Sequence, residues 1–290
     1  MPTIVKLLRP DQYLKNGFVW LGMIFAQRWD WQTFGEVAVA FAAFCAAASA
    51  VYVFNDILDV EADRRHPVKR LRPIASGAVS PSQAWLLCAA FAVLAIVLAG
   101  FVSTMTSGLI LAYLAINAAY SWRLKHVAIL DVFIIAAGFM LRILTGTLGV
   151  GIDPSPWLLL TGFMLTLFLG FAKRQAELLM LMNASKTDPG ATRRVLEDYS
   201  PAILDLFLGV TAACTILSYD LYTVSPETFA RHGTRALFYT LPFVVYGIFR
   251  YVFLLHRHHR GNDAAADFLA DWQLMLTVLG WLVVTVAVLA

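Results

Sequence analysis

"NDILDVEADRRHPVKRLRPIASG", residues 55–77, follows directly on the apolar run AAFCAAASAVYVF. Three aspartates and then five Lys or Arg stand where a hydrophobic helix ends. If that helix carries on through Asp63, its 100° step puts Asp59 at about 300° and Asp63 at about 340° from Asp56, with Asn55 at about 260°. Four oxygen-bearing side chains then share an arc of roughly 100°, and Glu61 points away. Hard oxygen donors on one face suit Mg2+, which is usually held by one or two carboxylates together with substrate phosphate oxygens. A solvated helix end with idle charges is the plainer alternative, but it gives no reason for the shared arc. Pro67 cannot continue the helix and biases His66 out of helical geometry. The chain is therefore expected to turn through VKRLRPIASG and fold Lys69, Arg70 and Arg72 back over the same mouth. Acids that hold a metal, with guanidinium forks beside them, form a clamp for a diphosphate.

Around this stretch the chain is greasy. Of its 290 residues 60% are hydrophobic and 14% charged, against about 25% charged in an ordinary soluble domain. Mean hydropathy is +0.70. Apolar runs long enough to cross a bilayer, roughly 20 residues each, lie near 17–29, 36–54, 83–102, 107–121, 128–149, 157–172, 202–222, 236–255 and 272–290. These predict an all-α integral membrane protein of about nine transmembrane helices, forming one domain over residues 1–290. No cleavable signal peptide is expected in MPTIVKLLRPDQYLKN, which lacks a hydrophobic stretch followed by a small-residue cleavage site. Cys45, Cys88 and Cys214 lie in apolar runs without ligand spacing and read as packing residues.

The bases set an orientation. With the N-terminus cytoplasmic, Arg28, Arg231 and Arg235 fall outside and Arg142 within a span, and the other 18 of 22 Lys and Arg sit on or near the cytoplasmic side. That bias explains Arg64 and Arg65 as anchors. It does not explain the aspartates, nor bases beside acids at span ends. Lys15 and Asn16 end the first span, Lys125 the fourth, and Lys173 and Arg174 the sixth, so all are expected at one membrane level, within reach of phosphate. Arg142 is deep, where an unpaired charge is costly, so it faces either a cavity or a partner helix. Asp131 shares its helix face but lies roughly 16 Å away along the axis. Gly138 and Gly146 would let another helix approach. HRHHR, residues 256–260, reads as a wet juxtamembrane loop. The partners implied are membrane lipid and phosphate ligands, with no nucleic acid; a homo-oligomer is compatible with the sequence.

NDxxDxxxD at a span end, followed by KRxRPIASG, resembles the first aspartate-rich motif of the UbiA superfamily of intramembrane prenyltransferases. The resemblance covers nearly the whole chain. It implies a helical bundle around a central cavity, open to lipid on one side and capped by cytoplasmic loops. Ordinary members hold a prenyl diphosphate through two such motifs with Mg2+ and transfer the prenyl group to an aromatic, quinone-precursor or other small acceptor. Here the second motif is replaced by AKRQAELLMLMNASKTDPGATRRVLEDYS, with no aspartates paired at helical spacing. That departure is similar to the branch of decaprenyl-phosphate phosphoribosyltransferases, as are LRPDQYLKN, RLKHVAILD, FMLRILTGTLGVG, FLGFAKRQAEL and LEDYS. FLADWQL departs from that branch, with Trp272 where a basic residue is expected.

The resemblance implies a Mg2+-dependent transferase of a bacterial plasma membrane, serving cell-envelope biosynthesis, that moves 5-phosphoribose from phosphoribosyl diphosphate to a polyprenyl (decaprenyl) phosphate. Asp56, Asp59 and Asp63 would hold the metal. Asp56, Asp59, Arg72 and Lys173 would carry catalysis. Lys15, Asn16, Asn55, Lys69, Lys125, Arg142, Arg174 and Tyr199 would bind substrate. The alternative activity is ordinary prenyl transfer from a prenyl diphosphate. A transporter or channel would need several deep charges, and only Arg142 is deep.

Overall fold

The computed structural model describes residues 3–66, 68–184, 196, 198–258 and 270–289. Pro67, residues 185–195 and 197, and the end of the HRHHR run lie outside them. Every regular element among the described residues is helical. By chain contacts the protein divides into two compact units, Met1–Val127 with Gly138–Pro154, and Ala128–Ala137 with Ser155–Ala290.

The first unit is organised on α3 (Trp31–Leu58), which follows α1 (Thr3–Leu8) and α2 (Leu21–Ala26). Asp30 caps α3, its carboxylate accepting from the Thr33 amide and hydroxyl, both at 2.8 Å. At 1.5 Å per residue its 28 residues run about 42 Å. A hydrocarbon core is about 30 Å thick, so the end bearing Asn55 and Asp56 reaches interfacial depth. A short α4 (Val60–Arg65) follows, ending at the expected stop before Pro67. α5 (Pro81–Val102) begins in a capping box between Ser80 and Gln83, with Pro81 in the first turn. α3 packs on α5 through small residues, Ala40, Ala43 and Ala47 on one helix and Ala84, Ala95 and Ala99 on the other, all with no exposed surface. With no hydrophobic drive between helices in lipid, small residues allow the close approach that dispersion needs. Ile74 buries against Leu7, Val53, Val79 and Ala84. That contact folds the RPIASG loop onto α3 and delivers Arg72 to its end.

α6 (Thr104–Trp122) and α7 (Leu130–Thr145) follow, and α7 starts in the second unit and ends in the first. In the second unit, α8 (Pro156–Ala184) packs on α9 (Pro201–Val224) around Phe168, Phe171, Leu204 and Leu208. The short α10 (Pro226–His232), then α11 (Leu241–His258) and α12 (Trp272–Leu289), complete it.

Seven helical stretches among the described residues are long and apolar enough to cross a membrane. Their outward faces are apolar, as Leu86 at 72% and Phe101 at 79% exposed on α5 illustrate, and lipid is the solvent that tolerates such faces. The expected count of about nine is not reproduced. The 107–121 run lies in α6, whose 19 residues include Thr104, Thr106, Ser107, Asn117 and Ser121 and so are more polar. The 17–29 run is no single helix: Pro10–Trp20 is a 3-10 helix, and α2 has six residues, about 9 Å. Backbone contact drives that irregularity. A Cβ on Gly146 would collide with the Val19 carbonyl, and one on Gly22 with the Gly146 carbonyl. Gly146, just past the end of α7, does serve a close approach, as expected.

Both positions are therefore expected to reject a methyl group. Gly146→Ala and Gly22→Ala should each cost about 1–3 kcal/mol, seen as a lower thermal midpoint in detergent. Gly35→Ala, where nothing lies within 4 Å of the added methyl, should leave the midpoint in place or raise it.

Candidate active site

The aspartates gather where α3 gives way to α4. The helix does not run straight through Asp63 as expected, because Asp59 sits between the two segments at φ −93°, ψ 4°. The amide-to-carbonyl bonds nevertheless continue, Asp59 to Asn55 at 2.9 Å and Asp63 to Asp59 at 2.8 Å. The one-face arrangement thus largely survives. Asp56 and Asp63 are buried and meet on a single nitrogen: Arg72 Nη1 donates to Asp63 Oδ2 at 2.7 Å and to Asp56 Oδ1 at 3.1 Å. Arg9 Nη2 donates to the same Asp56 oxygen at 2.6 Å. Asp59 turns aside to accept from Lys125 Nζ at 2.6 Å. The Asn55 side-chain oxygen accepts from the Ser121 hydroxyl.

Each carboxylate is thus matched to a base. Among the described residues no three His, Cys, Asp or Glu side chains form a group that could hold a metal ion, so Asp56, Asp59 and Asp63 do not converge as the three-ligand set expected of them. The donor chemistry still fits Mg2+. Asp56 and Asp63 aim hard anionic oxygens at one cationic point, and that ion commonly takes only one or two protein carboxylates, with phosphate and water completing its shell.

Lys15 stands on the 3-10 helix and donates to Gln12 at 2.5 Å. Lys69 lies in the short turn Lys69–Leu71 that leads to Arg72. Asn16 and Arg142, both expected at substrate, are buried together: Arg142 Nε donates to Asn16 Oδ1 at 2.8 Å. Its other nitrogens donate to the Gly138 carbonyl at 2.8 Å and the Tyr113 hydroxyl at 3.3 Å. The guanidinium also lies over the rings of Phe44, Tyr113 and Phe139, 4.9–5.1 Å from their centroids. An aromatic cage and three hydrogen bonds answer the desolvation of this deep charge. Through them Arg142 fastens the 3-10 helix to α7.

In the second unit Arg174 and Tyr199 are likewise engaged. Arg174 Nε donates to Asp131 Oδ2 at 2.6 Å, and Nη1 pairs with Glu177. Tyr199 donates to Asp131 Oδ1 at 3.1 Å and accepts from the Ile129 amide at 2.6 Å. Burial, reinforced by the Asp131 charge, pushes the Tyr199 phenol up to about 12, so it stays protonated and donates. Lys173 next to this network is partly buried. Sequence reasoning named Asp131 only as a distant neighbour of Arg142. Its true partner stands 43 residues on in another helix, beyond the reach of helical spacing.

These features describe a helical membrane protein with an acid–base cluster at one end of α3, the most buried of its described spans. Comparison places it further. The UbiA prenyltransferase family matches residues 17–273, and the chain belongs to that family. It is 33% identical over 292 residues to the decaprenyl-phosphate phosphoribosyltransferase of Corynebacterium glutamicum, covering 96% of this chain and 84% of that one. The enzyme of the same name from Mycobacterium tuberculosis is 32% identical, covering 99% and 94%. Among solved structures, a UbiA homolog from Archaeoglobus fulgidus bound to GPP and Mg2+ superposes with a TM-score of 0.72, at 17% identity over 99% of both chains; that likeness establishes the fold.

The Asp131–Arg174 pair has a clear signature in stability. Arg174→Met leaves a buried carboxylate uncompensated and should cost about 3–5 kcal/mol. The double variant Arg174→Met with Asp131→Leu should recover a substantial part of that loss, and thermal midpoints of wild type, both single variants and the double in one detergent will measure the coupling.

Proposed function

We propose that this protein transfers 5-phosphoribose from phosphoribosyl diphosphate to a polyprenyl phosphate, releasing diphosphate, in a bacterial plasma membrane with the α3–α4 junction facing the cytoplasm. The observation that carries this reading is the set of bases at the aspartates: Arg9, Arg72 and Lys125 all lie within 3.1 Å of a carboxylate at that junction. A donor with a diphosphate and a further phosphate, meeting an acceptor that is itself a phosphate, demands cations beyond the usual metal. A stretch that opens with Lys173 in place of a second acidic motif supports the same reading. The name of the relatives, decaprenyl-phosphate phosphoribosyltransferase, supports a polyprenyl phosphate acceptor and a phosphoribosyl group as what is moved.

Asp56 and Asp63 are the residues suited to hold Mg2+, with Asp59 joining directly or through water. Bound there, Mg2+ would neutralise charge on the leaving diphosphate. The protein's own groups do the rest. Arg72, freed from the aspartates, offers a fork that can take two phosphate oxygens at once. Lys125, Lys15 and Lys69 add point charges for the remaining phosphates. Asn55, its oxygen held by Ser121, turns its amide NH2 to the donor. As the ribose C1–oxygen bond breaks, its electron pair leaves with the diphosphate and the cations stabilise it. A lipid phosphate oxygen forms the new bond to C1, with inversion. That oxygen is already ionised, so no general base is required. Tyr199 and Arg174 act behind Lys173, fixing the start of α7 against α8.

Purified protein in nanodiscs, given Mg2+, radiolabelled phosphoribosyl diphosphate and a polyprenyl phosphate, should yield labelled lipid. Turnover of a prenyl diphosphate with no labelled lipid would overturn the proposal in favour of ordinary prenyl transfer. Asp56→Asn should lower kcat by about 10²–10³, the scale of losing one main charge-stabilising group; unchanged kcat would remove Asp56 from the site.

A further inference from the structure

We infer that Arg9 is a placeholder cation: it occupies Asp56 in the resting protein and exchanges that carboxylate for a donor phosphate when a divalent ion arrives. The inference rests on the function proposed above and adds a residue and an order of events. Arg9 joins α1 to the 3-10 helix in a left-handed conformation, φ 52°, ψ 59°, which a non-glycine residue adopts only at some cost. One face of α3 holds it there. Ser49 donates to the Leu8 carbonyl at 3.0 Å and is itself hydrogen-bonded to Tyr13 at 2.7 Å. One turn on, the Tyr52 ring lies under the Arg9 guanidinium at 5.1 Å. A further turn on, Asp56 accepts from its Nη2. Ser49, Tyr52 and Asp56 are spaced i, i+3, i+7 and so share a face. Their combined grip aims a 27%-exposed guanidinium at a carboxylate that is 2% exposed.

Asp56 Oδ1 already accepts from Arg72 as well, so Arg9 is not needed merely to pair it. A second cation on one oxygen is what a metal would have to displace. Metal alone therefore competes with a tethered positive charge and gains little. A diphosphate arriving with the metal gives Arg9 a new anion within side-chain reach while Tyr52 still supports its stem. Metal and diphosphate consequently bind together, and neither binds well alone.

The test uses full-length protein in nanodiscs, with Mn2+ binding followed by electron paramagnetic resonance in the presence and absence of inorganic pyrophosphate. Wild type should bind Mn2+ weakly alone and much more tightly with pyrophosphate. Arg9→Gln should bind Mn2+ alone about tenfold more tightly, since a competing charge has gone, and should lose most of the gain from pyrophosphate. In turnover it should raise KM for the donor more than it lowers kcat. Unchanged or weaker binding of Mn2+ alone by Arg9→Gln would overturn the inference. Should that variant fail to fold, Tyr52→Leu, which leaves every aspartate in place but loosens Arg9, should shift Mn2+ binding in the same direction; no shift would overturn it equally. If Asp56→Asn leaves wild-type Mn2+ binding unaltered with pyrophosphate present, the function proposed above fails and this inference with it. Asp56-dependent binding that is indifferent to Arg9 and Tyr52 sinks only the inference.

Discussion

A carboxylate at the end of a hydrophobic helix is the constraint around which the first unit is arranged. Asp56 ends a run of alanines, phenylalanine and valine on α3 and has 2% of its surface exposed. Desolvating an ionised carboxylate is expensive unless it is paired and hydrogen-bonded. Arg9 and Arg72 meet that requirement, and supplying them accounts for much of the surrounding structure. The Leu8–Arg9 backbone is held to α3 by Ser49. The RPIASG loop is held by Ile74, buried against Leu7 and Val53. Strip the charge from Asp56 and Arg9 loses its carboxylate, while Arg72 keeps only Asp63.

The same cost is met differently elsewhere. Arg142 has no carboxylate among its hydrogen-bond acceptors; rings and neutral oxygens surround it. Asp131 and Arg174, with 0% and 1% of their side chains exposed, neutralise one another and draw in Tyr199 and Glu177. The α3–α4 junction, by contrast with these two buried networks, leaves several charges accessible: the side chains of Arg9, Arg72 and Asp59 are 27%, 29% and 35% exposed. Sealed pairs of opposite charge are structural fastenings, whereas a paired but partly wet cluster can trade partners with a ligand. Exposure therefore separates the candidate site from the two buried networks more sharply than residue type does.

That separation is what sequence pattern could not supply. Helix-period spacing correctly grouped Asp56 with Asp63, because local geometry is set within two turns of one chain segment. Pro67 correctly marked the end of α4, for the same local reason. Arg142, a deep charge in an apolar run, requires a partner, and the protein groups that meet that need, Asn16 and Tyr113, stand 126 and 29 residues away, beyond the reach of sequence pattern. The first expected span failed for a related cause. Hydropathy registers the apolar content of residues 17–29, but not that the Gly146 carbonyl leaves room only for a glycine at position 22.

Charge count then explains why a site of this kind would forgo a second cluster of acids. At the junction three bases, Arg9, Arg72 and Lys125, face three aspartates, so the resting cluster is formally neutral without any ion. Two aspartate-rich motifs would instead leave a surplus of negative charge that only metal could relieve, and such a site would be filled with cations before its substrate came. A neutral cluster gains little from a lone divalent ion and little from a lone diphosphate, because each would leave like charges facing one another. On the function proposed above, metal and diphosphate together would restore the balance, with aspartates turned to the metal and bases to the phosphate, and a donor richer in phosphate than a prenyl diphosphate would shift that balance further toward bases.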